Sequence, residues 1–169
     1  KCIELTEFAT SLPQLVTGEV LEVSKGVECR TEHVPLGVVA SIVPFNFPAM
    51  VPNWTIPNAI ALGNCMIIKP SEKVPLSCGR LAELLKEAGL PDGVINLVFV
   101  DGPTIGEVVF NHRDFAGIHF TGSTGVFNKM WETIGKNMAM YRSYPRIVGE
   151  TGGKDFVIAH KSADPDVVV

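Results

Sequence analysis

Apolar and polar positions alternate along this chain with two periods, one suited to buried strands and one to amphipathic helices. Gly37 to Val43 is apolar and rich in valine, as expected of a strand covered on both faces. Ala49 to Leu62 reads as a helix despite its prolines, and Cys65 to Ile68 as a second short strand. Pro75 to Ala88 is amphipathic: Leu81, Leu84, Leu85 and Ala88 recur at helical spacing, and Gly89 with Pro91 ends the element. Val94 to Val100 is a third strand, Pro103 to Phe110 a short helix and Phe115 to Phe120 a fourth strand. Thr124 to about Met138 is a helix with Phe127, Met130, Trp131, Ile134 and Met138 on one face. Arg146 to Val148 and Phe156 to Ala159 read as further strands. Residues 1–34 carry little pattern and suggest a connector or an edge hairpin, punctuated by Gly18 and Gly26.

Strands alternating with helices of this length predict an α/β fold, with a doubly wound, mostly parallel sheet and helices on both faces. The expected organisation is an N-terminal segment, 1–34, followed by a nucleotide-binding α/β domain, 35–169.

Composition narrows the function classes. With 46% hydrophobic and 19% charged residues the chain suits a globular domain rather than a disordered one. A net charge of -4, with no run of Lys and Arg, argues against nucleic acid or an anionic membrane as partner. Leu36 to Ile68 lacks charge, but four prolines and four asparagines interrupt it too often for a membrane span. The cysteines (Cys2, Cys29, Cys65, Cys78) form no CxxC pair and no metal-like cluster with the histidines, so free thiols and no metal site are expected. Cys65 and Cys78 read as buried small hydrophobes. A reducing compartment follows, the cytoplasm or, in a eukaryote, the mitochondrial matrix. No signal or transit-like segment is evident, and the natural start is expected upstream of Lys1.

Four motifs follow predicted strands, at the edge where doubly wound sheets bind ligands. In Pro44-Phe45-Asn46-Phe47-Pro48, the Asn46 amide can donate to a developing oxyanion or simply cap the next helix. In Lys69-Pro70-Ser71-Glu72, a donor and an acceptor three residues apart suit the hydroxyls of an adenosine ribose, or form a solvated ion pair. If Glu72 accepts from the ribose 2′-OH it repels a 2′-phosphate, favouring NAD over NADP. Phe120-Thr121-Gly122-Ser123 marks a helix start able to face a pyrophosphate, with Ser123 as cap and donor. Gly149-Glu150-Thr151-Gly152-Gly153-Lys154 sets a carboxylate among glycines, as a general base or in a plain surface turn. The GxGxxG fingerprint is absent; Gly102-Pro103-Thr104-Ile105-Gly106 is the nearest stretch.

In their order and spacing these motifs resemble the aldehyde dehydrogenase superfamily, from about residue 30 to Val169. The resemblance implies a Rossmann-like NAD-binding domain. It implies Asn46 as oxyanion donor and Glu150 as general base. A cofactor path would be lined by Val43, Pro44, Phe45, Asn46, Lys69, Ser71, Glu72, Gly102, Phe120 and Ser123, with Thr151 and Gly152 near the nicotinamide. The partner it implies is a small-molecule aldehyde, and the parent enzyme a homo-oligomer. The superfamily's nucleophilic cysteine lies in a Gly-Gln-x-Cys context some thirty-odd residues past the glutamate, which none of the four cysteines occupies. The chain is therefore expected to stop short of the catalytic-cysteine domain, and by itself to hold NAD without catalysis.

Within the superfamily the long interval from Ser123 to Glu150, with Tyr144-Pro145-Arg146-Ile147-Val148, is similar to 1-pyrroline-5-carboxylate dehydrogenases, which oxidise glutamate semialdehyde to glutamate. Pro35 to Val39 and the stretch from Pro44 to Pro52 are similar instead to methylmalonate-semialdehyde dehydrogenases, which form an acyl-CoA. The Tyr144–Lys154 block is the more distinctive, and the first branch is the expectation.

Overall fold

The structure, a computed structural model, describes residues 1–168. In chain order the elements are α1 (Cys2–Leu15), β1 (Val20–Ser24), β2 (Val27–Arg30), β3 (Val38–Ile42), α2 (Pro52–Ala61), β4 (Cys65–Lys69) and α3 (Pro75–Glu87). There follow β5 (Ile95–Leu97), α4 (Gly102–Val109), β6 (Phe115–Thr121), α5 (Thr124–Lys136), a 3-10 turn (Met138–Met140), β7 (Arg146–Glu150) and α6 (Pro165–Val168).

Five strands form one parallel sheet in the order β5-β4-β3-β6-β7. The chain starts at the central strand, walks outward to β5, then crosses back to lay β6 on the other side of β3. That reversal opens a crevice between the carboxyl ends of β3 and β6.

The two faces carry separate cores. Ile56 and Ala59 of α2, with Leu81 and Leu85 of α3, pack on Val39, Met66 and Ile68. On the opposite face Ile105 and Val109 of α4, with Met130 and Ile134 of α5, pack on Ala40, Ile42, Ile118 and Phe120. Alternate strand residues supply the two clusters, as pleating requires. The doubly wound parallel architecture therefore stands as expected.

Several boundaries shift for local reasons. The helix expected over Ala49–Leu62 begins at Pro52, whose missing N–H suits the first turn. The strand expected over Val94–Val100 shortens to three residues. Leu84 and Trp131, read as core-facing, are exposed, so the inward stripes of α3 and α5 are narrower than their sequences suggest. Cys65, expected to be buried, is exposed as the first residue of β4, whereas Cys78 is buried as expected.

Phe156 to Ala159 forms no strand. Its apolar residues have the propensity, but a strand exists through pairing, and Phe156, Val157 and Ile158 stand exposed with no ladder among the described residues.

Residues 1–34 contain more order than their pattern promised. β1 and β2 pair antiparallel as a separate hairpin, with Gly26 at a positive φ in the turn. Before it, α1 lays Cys2, Leu5, Ala9 and Leu12 inward at helical spacing, with Ala9 buried. Among the described residues no helix is long and apolar enough to cross a membrane.

Candidate cofactor crevice and reaction edge

Each motif found in the sequence lies at the carboxyl edge of the sheet. Past β3, the Val43 N–H donates to the Lys69 carbonyl at 3.1 Å, so the first two strand ends stay joined. Pro44 is half-buried and Phe45 is exposed, with the Lys73 ammonium 4.4 Å from the Phe45 ring centroid. Asn46 is exposed in the following turn. It does not cap α2: the cap position is Val51, with no side-chain hydrogen bond. The exposed amide is therefore not committed to the helix start.

At the end of β4 Lys69 is buried while Glu72 is exposed, and the two form a hydrogen-bonded ion pair. The buried charge is thus neutralised at its outer tip rather than left alone in the core. The Lys69 hydrogen bond, with the Glu72 amide, holds the Glu72 carboxyl below its ordinary value. Ser71 sits between them, its hydroxyl accepting from the Lys73 N–H at 3.3 Å.

Two helix starts flank the crevice. Asp101 caps α4 by accepting from the Thr104 N–H at 2.7 Å, which holds its carboxyl below the ordinary value, and Gly102 is exposed at the first turn. Ser123 caps α5, accepting from the Val126 N–H at 3.4 Å. Between α4 and α5 opens a crevice of about 640 Å³, lined by Ile42, Gly102, Pro103, Phe120, Gly122 and Val126 among others. That volume is ample for a nucleoside. Its floor is firm: Phe120 stacks on Phe127 at 5.8 Å with planes 6° apart. A Cβ on Gly122 would meet the Phe120 ring at 2.6 Å, and one on Gly149 the Phe127 ring at 2.2 Å. Both glycines are needed for close approach.

Sequence reasoning singled out Gly102 and Phe120 but missed the other walls, Pro103, Gly106, Val126 and Thr133. The signal was available in the Gly-Pro-Thr-Ile-Gly start of α4, whose small residues let a ligand lie against the helix.

Glu150 ends β7 opposite Thr121 in register, and the Gly122 N–H donates to the Glu150 carbonyl at 3.1 Å. Its side chain is exposed, so no apolar pocket surrounds it among the described residues. Thr151 is half-buried and Gly152 exposed just beyond. Paired residues in a ladder project to one side, so His119, Thr121, Val148 and Glu150 share the α2 side, although Thr121, at the strand end, also borders the crevice. Trp54 of α2 meets His119 edge-on at 6.2 Å. Burial holds the His119 imidazole below its ordinary value, while Glu150 pulls it partway back.

Two cysteines border the loop past β3, and Cys2 Sγ lies 3.6 Å from the Ala49 carbonyl. Cys78 is buried, with its Sγ 3.8 Å from the Pro48 carbonyl, and burial pushes its thiol up. Cys65 begins β4 at the opposite edge, and Cys29 lies on the hairpin. Among the described residues no metal-ligating group forms.

A sequence model described as the aldehyde dehydrogenase family matches residues 1–169. The chain belongs to the aldehyde dehydrogenase family. It is 44% identical, over 94% of its length, to a protein of Schizosaccharomyces pombe named as a probable delta-1-pyrroline-5-carboxylate dehydrogenase. The methylmalonate-semialdehyde dehydrogenase of Oceanimonas doudoroffii superposes with a TM-score of 0.82 at 39% identity over 91% of the chain. PnpE of Pseudomonas sp. WBC-3, solved in complex with nicotinamide adenine dinucleotide, superposes with a TM-score of 0.79 at 38% identity over 90%. The chain spans 29% to 31% of the length of these relatives.

Proposed function

We propose that the complete protein oxidises a small-molecule aldehyde to a carboxylic acid with NAD, and that this chain supplies the cofactor site, the oxyanion donor and the general base. The observation that carries this reading is the convergence of four strand ends on one edge, with the Lys69–Glu72 pair, the Ser123 cap and the open crevice on it.

The residues present fit NAD. The crevice between α4 and α5 suits the adenosine and the α5 start suits the pyrophosphate, while Lys69 and Glu72 suit the ribose hydroxyls. NAD bound there supplies the hydride acceptor. The remaining chemistry belongs to side chains. The Asn46 amide donates to the aldehyde oxygen as negative charge builds on it, a contact whose loss typically costs about 10² to 10³ in rate. We assign the attacking thiolate to a cysteine outside this chain, because burial of Cys78 disfavours its ionisation and none of the four cysteines stands in a Gly-Gln-x-Cys context. Glu150 takes a proton from water, and the hydroxide so formed attacks the acyl carbon and breaks its bond to the cysteine sulfur, so that the thiolate leaves and the carboxylic acid is released.

For the substrate we favour glutamate semialdehyde, supported by the Tyr144–Lys154 block and by the 44% identity to the Schizosaccharomyces pombe protein. The similarity to the Oceanimonas enzyme supports a second reading, a dehydrogenase that forms an acyl-CoA. Incubating the complete protein with glutamate semialdehyde and NAD should yield NADH and glutamate without CoA. Strict dependence on CoA would transfer the assignment to the second reading. The cofactor is tested on the chain itself by calorimetric titration. Saturable NAD binding with much weaker NADP binding is expected, because Glu72 repels a 2′-phosphate. Equal affinity for both would remove that role from Glu72. We also propose a homo-oligomeric assembly, which sedimentation of the complete protein tests.

A further inference from the structure

The α2 side of the reaction edge holds a second titratable group that the mechanism above leaves unused. His119 lies two residues before Thr121 on β6, and both project to the side that carries Glu150. The ring is held edge-on by Trp54, and beneath the next strand Ser41 bonds Thr55 at 3.1 Å, so the wall behind the imidazole is uncharged. His119 Nδ1 and Thr121 Oγ1 are buried and have no hydrogen-bond partner among the described residues. Buried polar atoms are rarely left so, and a pair of them side by side on one strand calls for an explanation. From α2, β3, β6 and β7, the charged group that acts on His119 is Glu150.

We propose that His119 is a positioning residue for Glu150. With the imidazole neutral, the Glu150 carboxylate faces no neighbouring cation on its own side of the sheet among the described residues and keeps its full strength as a base. With the imidazole protonated, the new cation stabilises the carboxylate as an anion and weakens it as a base. The proton on His119 comes from solvent and returns to it, while the proton abstracted in the reaction still goes from water to Glu150. The ring thus sets the acid limit of the hydrolytic step. This rests on the reading of Glu150 as the base.

Two measurements separate the ideas. In the first, the His119 imidazole is titrated by NMR in the complete protein and in Glu150→Gln. Loss of the carboxylate should move the His119 titration to lower pH. An unchanged titration would overturn the pairing, whatever the enzyme's activity. In the second, the deacylation rate is followed against pH in the complete enzyme, in His119→Gln and in Glu150→Gln.

The wild-type acid limb should fall between the ordinary glutamate and histidine values, about 4.3 and 6.5. In His119→Gln it should move acidward by about a pH unit toward the glutamate value. KM should be unchanged. A purely structural histidine would lower the rate at every pH without moving the limb, and that result would overturn the proposal. Full deacylation by Glu150→Gln would instead sink the base assignment. If His119→Gln fails to fold, the NMR titration still decides, since it leaves the histidine in place.

Discussion

At the ends of β3 and β6, the face beneath α4 and α5 is packed with Ile42, Phe120, Phe127 and Met130 around a formed crevice. The face beneath α2 carries, at the same edge, the exposed Glu150 and Val148 and two buried polar atoms without partners. The first face is finished by hydrophobic burial, which specifies shape. The second is left polar, which costs stability but allows proton chemistry. On the proposed reading, recognition and reaction are divided between the two sides of a single sheet.

The largest expected effect breaks the packed side. Ile134 is fully buried, and Ile134→Ala should destabilise the chain by about 2–5 kcal/mol, read as a lower urea midpoint. Next, Gly149→Ala forces the Phe127 ring off its stack on Phe120. It should cost about 1–3 kcal/mol and weaken NAD binding, seen by denaturation and calorimetry. A smaller loss, about 1 kcal/mol, is expected for Ser123→Ala, which removes the α5 cap. Lys69→Met sharpens the division between binding and stability. Replacing a buried ammonium by an apolar side chain should leave stability within about 1 kcal/mol, yet lower NAD affinity about tenfold or more.

The smallest effect is a matter of pH. Because Lys69 holds the folded Glu72 carboxyl below its ordinary value, the unfolded chain binds more protons in acid. The pair's stabilisation is therefore present above about pH 4.3 and is lost as pH falls through the lower, folded value. Acid titration of Lys69→Met should show a flatter loss of stability over that window.

The strands and crossover helices were legible because burial on both faces writes long apolar runs, as in Gly37–Val43. Lys69–Glu72 and Ser123 could be placed from sequence because their partners lie within three residues. The side of the sheet on which Glu150 projects could not. It depends on the β6–β7 register, a long-range property that no local pattern encodes. His119 escaped notice for the same reason: alone on β6 it is one imidazole in an apolar strand, and only the ladder puts it on the same side of the sheet as a carboxylate. α1 was missed because its inward stripe of small and apolar residues is too thin to stand out from the polar residues around it.

The hydrogen bond from the Gly122 amide to the Glu150 carbonyl ties the turn before α5 to the residue proposed as the base. The two strand ends therefore behave as one mechanical part. If the cofactor settles against the turn as proposed, it should stiffen the carboxylate's mounting as well, and slower amide exchange at Gly122 on adding NAD would register both events in a single signal.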